Sequence, residues 1–511
     1  MSGIIENFLD REGPCLTSAV SDHLVKIYGV APAAARKRVS RVAGNVKRLA
    51  YITFPRKARF IYLSKDFGSP RYWRALEAAL LATNSVYGLA ISAIRHRGGV
   101  IPAGHFQIAC GSPLKQARHL SPATVLQRLT QAKLLQQVQV SGVGDCVTLV
   151  QAEGYYDFHE SNIRARLITE ALLLTAVRDW VKKLGLGSYD SVQTRDDNLV
   201  GGSYPTVGTF AWDLTAPSYL GPMLRYDKDG NAKNGFIACD VLLGKGMTAG
   251  SMRPFIHKCT TLRRLRNVGP CLQIFVADRY DQDAFALAKK HGIMPATPES
   301  LFGREVAEGL QQLTQVLHEA ATSIDPVKFD FLFRRLGKIE GAAIQLRGTL
   351  FEYIVADVAR KSFSPTVRLN RKLKNPDGKE AEVDVMAVKD NQAVLMIECK
   401  GYGPYTTIPD KYMQRWLQHN VPVSFKWLKN NPEYQNLKLR FEFWATGTLS
   451  PEAIAMFDAA KATIRPERYT IDLKFAPQIL AECKATNDDG LTEAFKKHYM
   501  KSVPETHSSL P

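Results

Sequence analysis

The 511 residues contain no Cys-x-x-Cys pair, and no Cys/His spacing matches a zinc site. Cys15, Cys110, Cys146, Cys239, Cys259, Cys271, Cys399 and Cys483 stand singly, most of them in apolar runs such as "FIACDVLL". That excludes a disulfide framework and a structural zinc, and leaves reduced core thiols. No apolar stretch reaches the roughly 18 residues that span a bilayer. The opening "MSGIIENFLDREG" has early acids and lacks the basic-then-apolar pattern of a secretion signal. The expectation is a cytoplasmic chain with no membrane partner. No aromatic RNA-stacking signature occurs, which weighs against RNA processing.

Positive charge is in excess. Lys and Arg number 67 against 49 Asp and Glu, a net +18. An imbalance of this size suggests a polyanionic partner. It is concentrated early. No acid occurs between Asp22 and Asp66, and that interval holds Arg36, Lys37, Arg38, Arg41, Lys47, Arg48, Arg56, Lys57 and Arg59. Glycine stops and apolar spacing predict short helices at "SGIIENFLDREG", "LTSAVSDHLVKIYG" and "APAAARKRVSRVAGN". Two β-rich runs follow around a basic turn in "AYITFPRKARFIYLS". Residues 1–67 thus resemble a winged helix-turn-helix. The resemblance implies that residues 31–43 enter the major groove of double-stranded DNA and that the 51–63 hairpin touches its backbone; the nine basic residues are the expected DNA contacts.

Residues 68–155 repeat the theme. "RYWRALEAALLATN" and "SVYGLAISAIRHRGG" read as helices and "HFQIACGS" as a strand. "LSPATVLQRLTQAKLL" is a helix capped by Ser121 with Pro122 in its first turn, and "QQVQVSGVGDCVTLV" is a hairpin. This is either a second winged helix or a dimerisation module. Residues 156–325 and 326–490 then share one order of helix, strand, strand, helix, strand, helix. They read as two diverged copies of an α/β domain, with 491–511 a flexible tail. The fold class expected is therefore multi-domain α/β plus α+β.

The chemistry is carried by the second copy. "EAEVDVMAVK" and "QAVLMIECK" read as strands joined by a short turn at "KDNQ". That hairpin brings Asp384 toward Glu398, with Lys400 on the same face as Glu398. Two carboxylates at one sheet end need a cation between them, and a hard Mg²⁺ or Mn²⁺ meets that need. "EVDV" followed by "IECK" resembles the PD-(D/E)xK, restriction-endonuclease-like nuclease superfamily over about residues 335–480. The resemblance implies that Asp384 and Glu398 bind metal, that Lys400 assists water attack on a phosphodiester, and that Glu352 in "GTLFEYIVADVAR" adds a helix acid. The Cys399 carbonyl is a further candidate metal ligand. Asp377 in "NPDG" offers a literal Pro-Asp pair but belongs to a turn. Lys411, Gln414 and Arg415 are candidates for phosphate contact.

On the same template the first copy offers Glu170, Asp213 and Asp240. Leu242 stands where the lysine belongs, with Lys245 or Lys258 available to replace it, so this copy is expected to be degenerate. The chain is read as a Mg²⁺-dependent DNA endonuclease, in the setting of bacterial restriction or anti-phage defence. One site cuts one strand, so a double-strand break calls for a homodimer or a partner subunit. The competing reading is a DNA-binding regulator or assembly factor that no longer cuts.

Overall fold

A computed structural model describes residues 2–83, 85–140, 142–150, 160–197, 204–226, 230–319, 327–337, 339 and 341–500. The chain is a mixed α/β protein with several sheets. It divides into two compact units, and neither is a continuous stretch. Unit 1 comprises Met1–Val138, Asp145–Asp157 and Gly185–Ala296; unit 2 comprises Gln139–Gly144, Phe158–Leu184 and Thr297–Pro511. Among the described residues no single helix is long and apolar enough to cross a membrane.

Unit 1 begins with helices Ser2–Glu12, Thr17–Tyr28 and Pro32–Arg41. A three-stranded sheet accompanies them, ordered Cys15–Leu16, Phe60–Leu63, Val46–Arg48. The glycine stop after the second helix is real, since Gly29 takes the left-handed conformation that a side chain disfavours. The first strand of the hairpin lies at Val46–Arg48, earlier than the expected run at 50–54. Residues 55–57 form a tight turn in which Arg56 and Lys57 both have positive φ. The sequence Val86–His96, Val100–Pro102, Phe106–Ala109, Pro122–Gln131, Leu135–Val140, Gly144–Leu149 repeats the order helix, strand, helix, helix, strand, strand. Its sheet has the same arrangement, with the last strand in the middle. Ser121 caps its helix through the Thr124 N–H as expected. "HFQIACGS" is helical and not a strand: four apolar-rich residues carry no periodicity that separates the two.

The large sheet of unit 1 has five strands: β1 Gln193–Thr194, β2 Leu214–Ser218, β3 Gly235–Leu242, β4 Cys271–Ala277 and β5 Met294–Ala296. β1, β2 and β3 are antiparallel neighbours, and β3, β4 and β5 are parallel. Helix Ala249–Arg263 follows β3 and packs on Phe275, Trp212 and Leu242.

Unit 2 has a second five-stranded sheet: β6 Val367–Lys374, β7 Glu380–Lys389, β8 Ala393–Lys400, β9 Lys438–Ala445 and β10 Thr470–Phe475. Its order and directions repeat those of the first, three antiparallel strands followed by two parallel ones. The core on one side joins Met386, Val388, Val394 and Met396 to Trp416, Phe443 and Phe457. Each such buried side chain contributes about 1.5–3 kcal/mol. Helix Ala342–Ser362 also packs on the sheet.

Three expectations fail in unit 2. Helix Glu160–Lys183, assigned to the first α/β copy, groups with unit 2, where it packs against Arg304–Glu319 and Ala342–Ser362. Glu170 therefore does not belong to the sheet of Asp213; it lies 3.8 Å from Arg166 on its own helix. The expected tail is helical from Asp489 to Met500, held by buried Leu491, Phe495 and Tyr499. Residues 501–511 lie outside the described residues.

Candidate active site

β7 ends at Lys389 and β8 begins at Ala393, so "KDNQ" is the hairpin turn, with Asn391 at the positive φ that asparagine tolerates. The register then fixes which side chains meet. Val385 pairs with Ile397, so one step further Asp384 stands opposite Glu398. Leu369 pairs with Val385, which puts Asn370 opposite Asp384 on the other side. Asn370, Asp384 and Glu398 thus form one row across three strands. Asn370 has a positive φ.

Lys400 stands two residues beyond Glu398, at the carboxyl end of a strand that runs parallel to β9. Open α/β sheets bind ligands at that end. Its Nζ donates to Glu398 Oε1 at 2.7 Å and lies 3.8 Å from Asp384 Oδ2. Two carboxylates therefore share one ammonium. Asp384 Oδ2 also accepts from the Cys399 N–H at 2.7 Å, and Glu398 Oε2 accepts from Asn420 Nδ2 at 3.2 Å. These three side chains keep 13–16% of their surface open.

The electrostatics follow from this crowding. Burial, and then the neighbouring Glu398 carboxylate, push the Asp384 carboxyl well above its ordinary range, with Lys400 opposing. Burial alone would lower the Lys400 ammonium, but Glu398 and Asp384 hold it above its usual value. The Cys399 thiol is pushed up by burial and stays protonated at neutral pH.

No protein-family model, curated protein or solved structure matches this chain.

Glu352 does not join the other two acids directly. Its Oε2 accepts from Arg164 at 2.9 Å and from Asn370 Nδ2 at 2.9 Å. Arg164 comes from helix Glu160–Lys183, and its guanidinium lies 5.1 Å from the Tyr353 ring centroid. The Cys399 carbonyl accepts from Lys400 Nζ at 3.1 Å. Among the described residues no group of three or more His, Cys, Asp or Glu forms an ion cage. The donor set near Lys400 is two carboxylates and one carbonyl. That suits a Mg²⁺ ion, which takes one or two carboxylates and fills its shell with water and substrate phosphate.

Packing fixes the spacing. A Cβ on Gly401 would meet Phe351 Cβ at 2.5 Å and the Arg347 carbonyl at 2.7 Å, so the helix of Glu352 sits directly on the residue after Lys400. Asp377 lies in the 375–378 turn and pairs with Lys426 at 2.6 Å, away from this cluster's contacts. Lys411, Gln414 and Arg415 are exposed on the helical run that begins at Asp410.

All nine basic residues of the N-terminal segment are exposed. Arg36, Lys37, Arg38 and Arg41 lie on helix Pro32–Arg41, and Arg56, Lys57 and Arg59 on or beside the tight turn. Arg48 has a different task. It donates to the Ser40 and Val42 carbonyls at 2.9 and 2.6 Å and caps that helix.

Sequence reasoning missed Arg164, Asn370 and Asn420. Asn370 carried a weak signal in the apolar–polar alternation of "VRLN". Arg164 carried none, because it precedes its partner by 188 positions.

Proposed function

We propose that the chain is a metal-dependent endonuclease on DNA, with a PD-(D/E)xK-type site in unit 2 and winged-helix modules in unit 1. One observation carries the proposal: half-buried Asp384 and Glu398 face each other across paired strands with a single ammonium between them. With both carboxyls ionised the pair carries one negative charge more than Lys400 offsets, and a divalent cation would neutralise it and so favour ionisation of Asp384. Asp384, Glu398 and the Cys399 carbonyl would hold Mg²⁺, which supplies charge neutralisation at a phosphodiester when bound. Lys400 then has an ammonium to offer to a water or a phosphate oxygen. Arg164 and Asn370 orient Glu352 beside this row. The order helix, strand, helix, helix, strand, strand in the unit 1 modules supports the winged-helix reading, and their exposed Arg and Lys side chains suit phosphate contact.

The test is plasmid cleavage with Mg²⁺ or EDTA. Nicking that requires metal and disappears in Asp384→Asn and Lys400→Ala supports the enzyme. Intact plasmid that shifts in a gel supports a second reading, a silent DNA-binding regulator. The engagement of Glu352 by Arg164, and of Lys400 by both carboxylates, favours that reading.

A further inference from the structure

Unit 1 contains the same row of positions as the candidate site, filled differently. Leu214 pairs with Cys239, so Asp213 stands opposite Asp240 as Asp384 stands opposite Glu398. Asp213 Oδ2 accepts the Val241 N–H at 2.8 Å, the counterpart of Asp384 accepting the Cys399 N–H. Thr194 pairs with Leu214, which gives Arg195 the row position of Asn370. Leu242 takes the position of Lys400.

The charges differ accordingly. Arg195 donates to Asp213 Oδ1 at 2.9 Å. Lys258 reaches from helix Ala249–Arg263 to Asp240 Oδ2 at 2.7 Å, donates to the Ile108 carbonyl at 3.2 Å and lies 3.8 Å from the Trp212 ring centroid. Two carboxylates meet two cations, one each. All four side chains are only 1–4% exposed, against 13–16% for Asp384, Glu398 and Lys400.

We infer that unit 1 carries a sealed counterpart of the unit 2 site whose cations are built in, Arg195 for Asp213 and Lys258 for Asp240, so that it takes no metal and no substrate and the chain has one working centre. The inference deepens the proposed function, because one centre per chain makes the product of a single encounter a nick. The charge closure itself does not depend on nuclease activity.

Two experiments on the full chain test it. The first is thermal unfolding. Lys258→Met leaves Asp240 buried without its cation and should lower Tm by roughly 10 °C or prevent folding. The paired Asp240→Asn/Lys258→Met variant removes both charges, and it should melt within about 3 °C of wild type. A paired variant as unstable as the single one would overturn the closure. The second is Mn²⁺ titration of Asp384→Asn/Glu398→Gln by calorimetry. No saturable site should remain. A stoichiometric site that survives there and disappears on further Asp240→Asn substitution would overturn the inference. Wild-type protein that binds no Mn²⁺, with the first experiment as expected, defeats the proposed function and leaves the sealed counterpart standing.

Discussion

Asp384→Asn should stabilise the metal-free protein while abolishing cleavage. The wild-type carboxylate faces Glu398 with only Lys400 to share. At an effective dielectric near 20, the Lys400–Asp384 attraction across 3.8 Å amounts to about 4 kcal/mol. The Asp384–Glu398 repulsion opposes it at least as strongly, since Glu398 pushes the Asp384 carboxyl up by more than Lys400 pulls it down. The two terms offset each other, and the cost of burying the carboxylate remains. Asparagine removes that cost, keeps an oxygen for the Cys399 N–H, and leaves Lys400 its 2.7 Å partner. The expected gain is about 1–2 kcal/mol, or a Tm rise of roughly 3–6 °C in EDTA. pH supplies the sign. A carboxyl raised by the fold penalises folding only where it must ionise. The gain should therefore vanish below about pH 4, where folded and unfolded chains are both protonated, and grow as pH rises from there. Mg²⁺ should raise the wild-type Tm and leave that of the variant unchanged. Calorimetric scans across pH measure all of this. A variant less stable than wild type at neutral pH in EDTA would refute the picture of two carboxylates competing for one ammonium.

Lys400→Met should have the opposite effect, costing about 3–5 kcal/mol without metal because both carboxylates lose their cation; denaturant melts with and without Mg²⁺ should show partial rescue by the ion. Arg164→Ala leaves Glu352 only Asn370 and should cost about 1–3 kcal/mol in urea unfolding, with Arg164→Gln recovering part of it. Replacing Arg36, Lys37, Arg38 and Arg41 with Gln should weaken DNA binding and flatten its logarithmic salt dependence by up to about 0.9 for each phosphate no longer neutralised, measured by anisotropy titration. The C-terminal helix should loosen in acid. Burial lowers His498, whereas Lys497 and His498 together outweigh burial to lower Asp330. Both shifts make stability fall with pH, beginning near the ordinary histidine value of about 6.5. Hydrogen exchange at residues 489–500 reads it, and a helix equally protected at acidic and neutral pH contradicts the assignment.

The hairpin of Asp384 and Glu398 was legible because two apolar runs flank a four-residue turn and because strand geometry assigns alternate residues to one face. The edge strand β6 was overlooked. Its "VRLNRKLK" alternates, but Arg, Asn and Lys outnumber its apolar residues, and an exposed edge gives composition little to say. The sequence offered Lys245 or Lys258 to replace the missing lysine without separating them; the fold brings Lys258 to Asp240 from the helix after β3. The role of Arg195 was not legible, because only register shows that it stands beside Asp213. The engagement of Glu352 by Arg164 is a tertiary fact between helices far apart in sequence, and neither periodicity nor spacing encodes it.

The path of the chain between its two units constrains how the protein can be divided. A fragment starting at residue 326 would include every strand of the Asp384 sheet but omit helix Glu160–Lys183, and with it Arg164. A fragment ending at residue 325 would keep that helix with Arg304–Glu319 but remove Ala342–Ser362, and with it Glu352, the partner of Arg164. A cut at that junction therefore parts Arg164 from Glu352 and divides unit 2 between the two pieces.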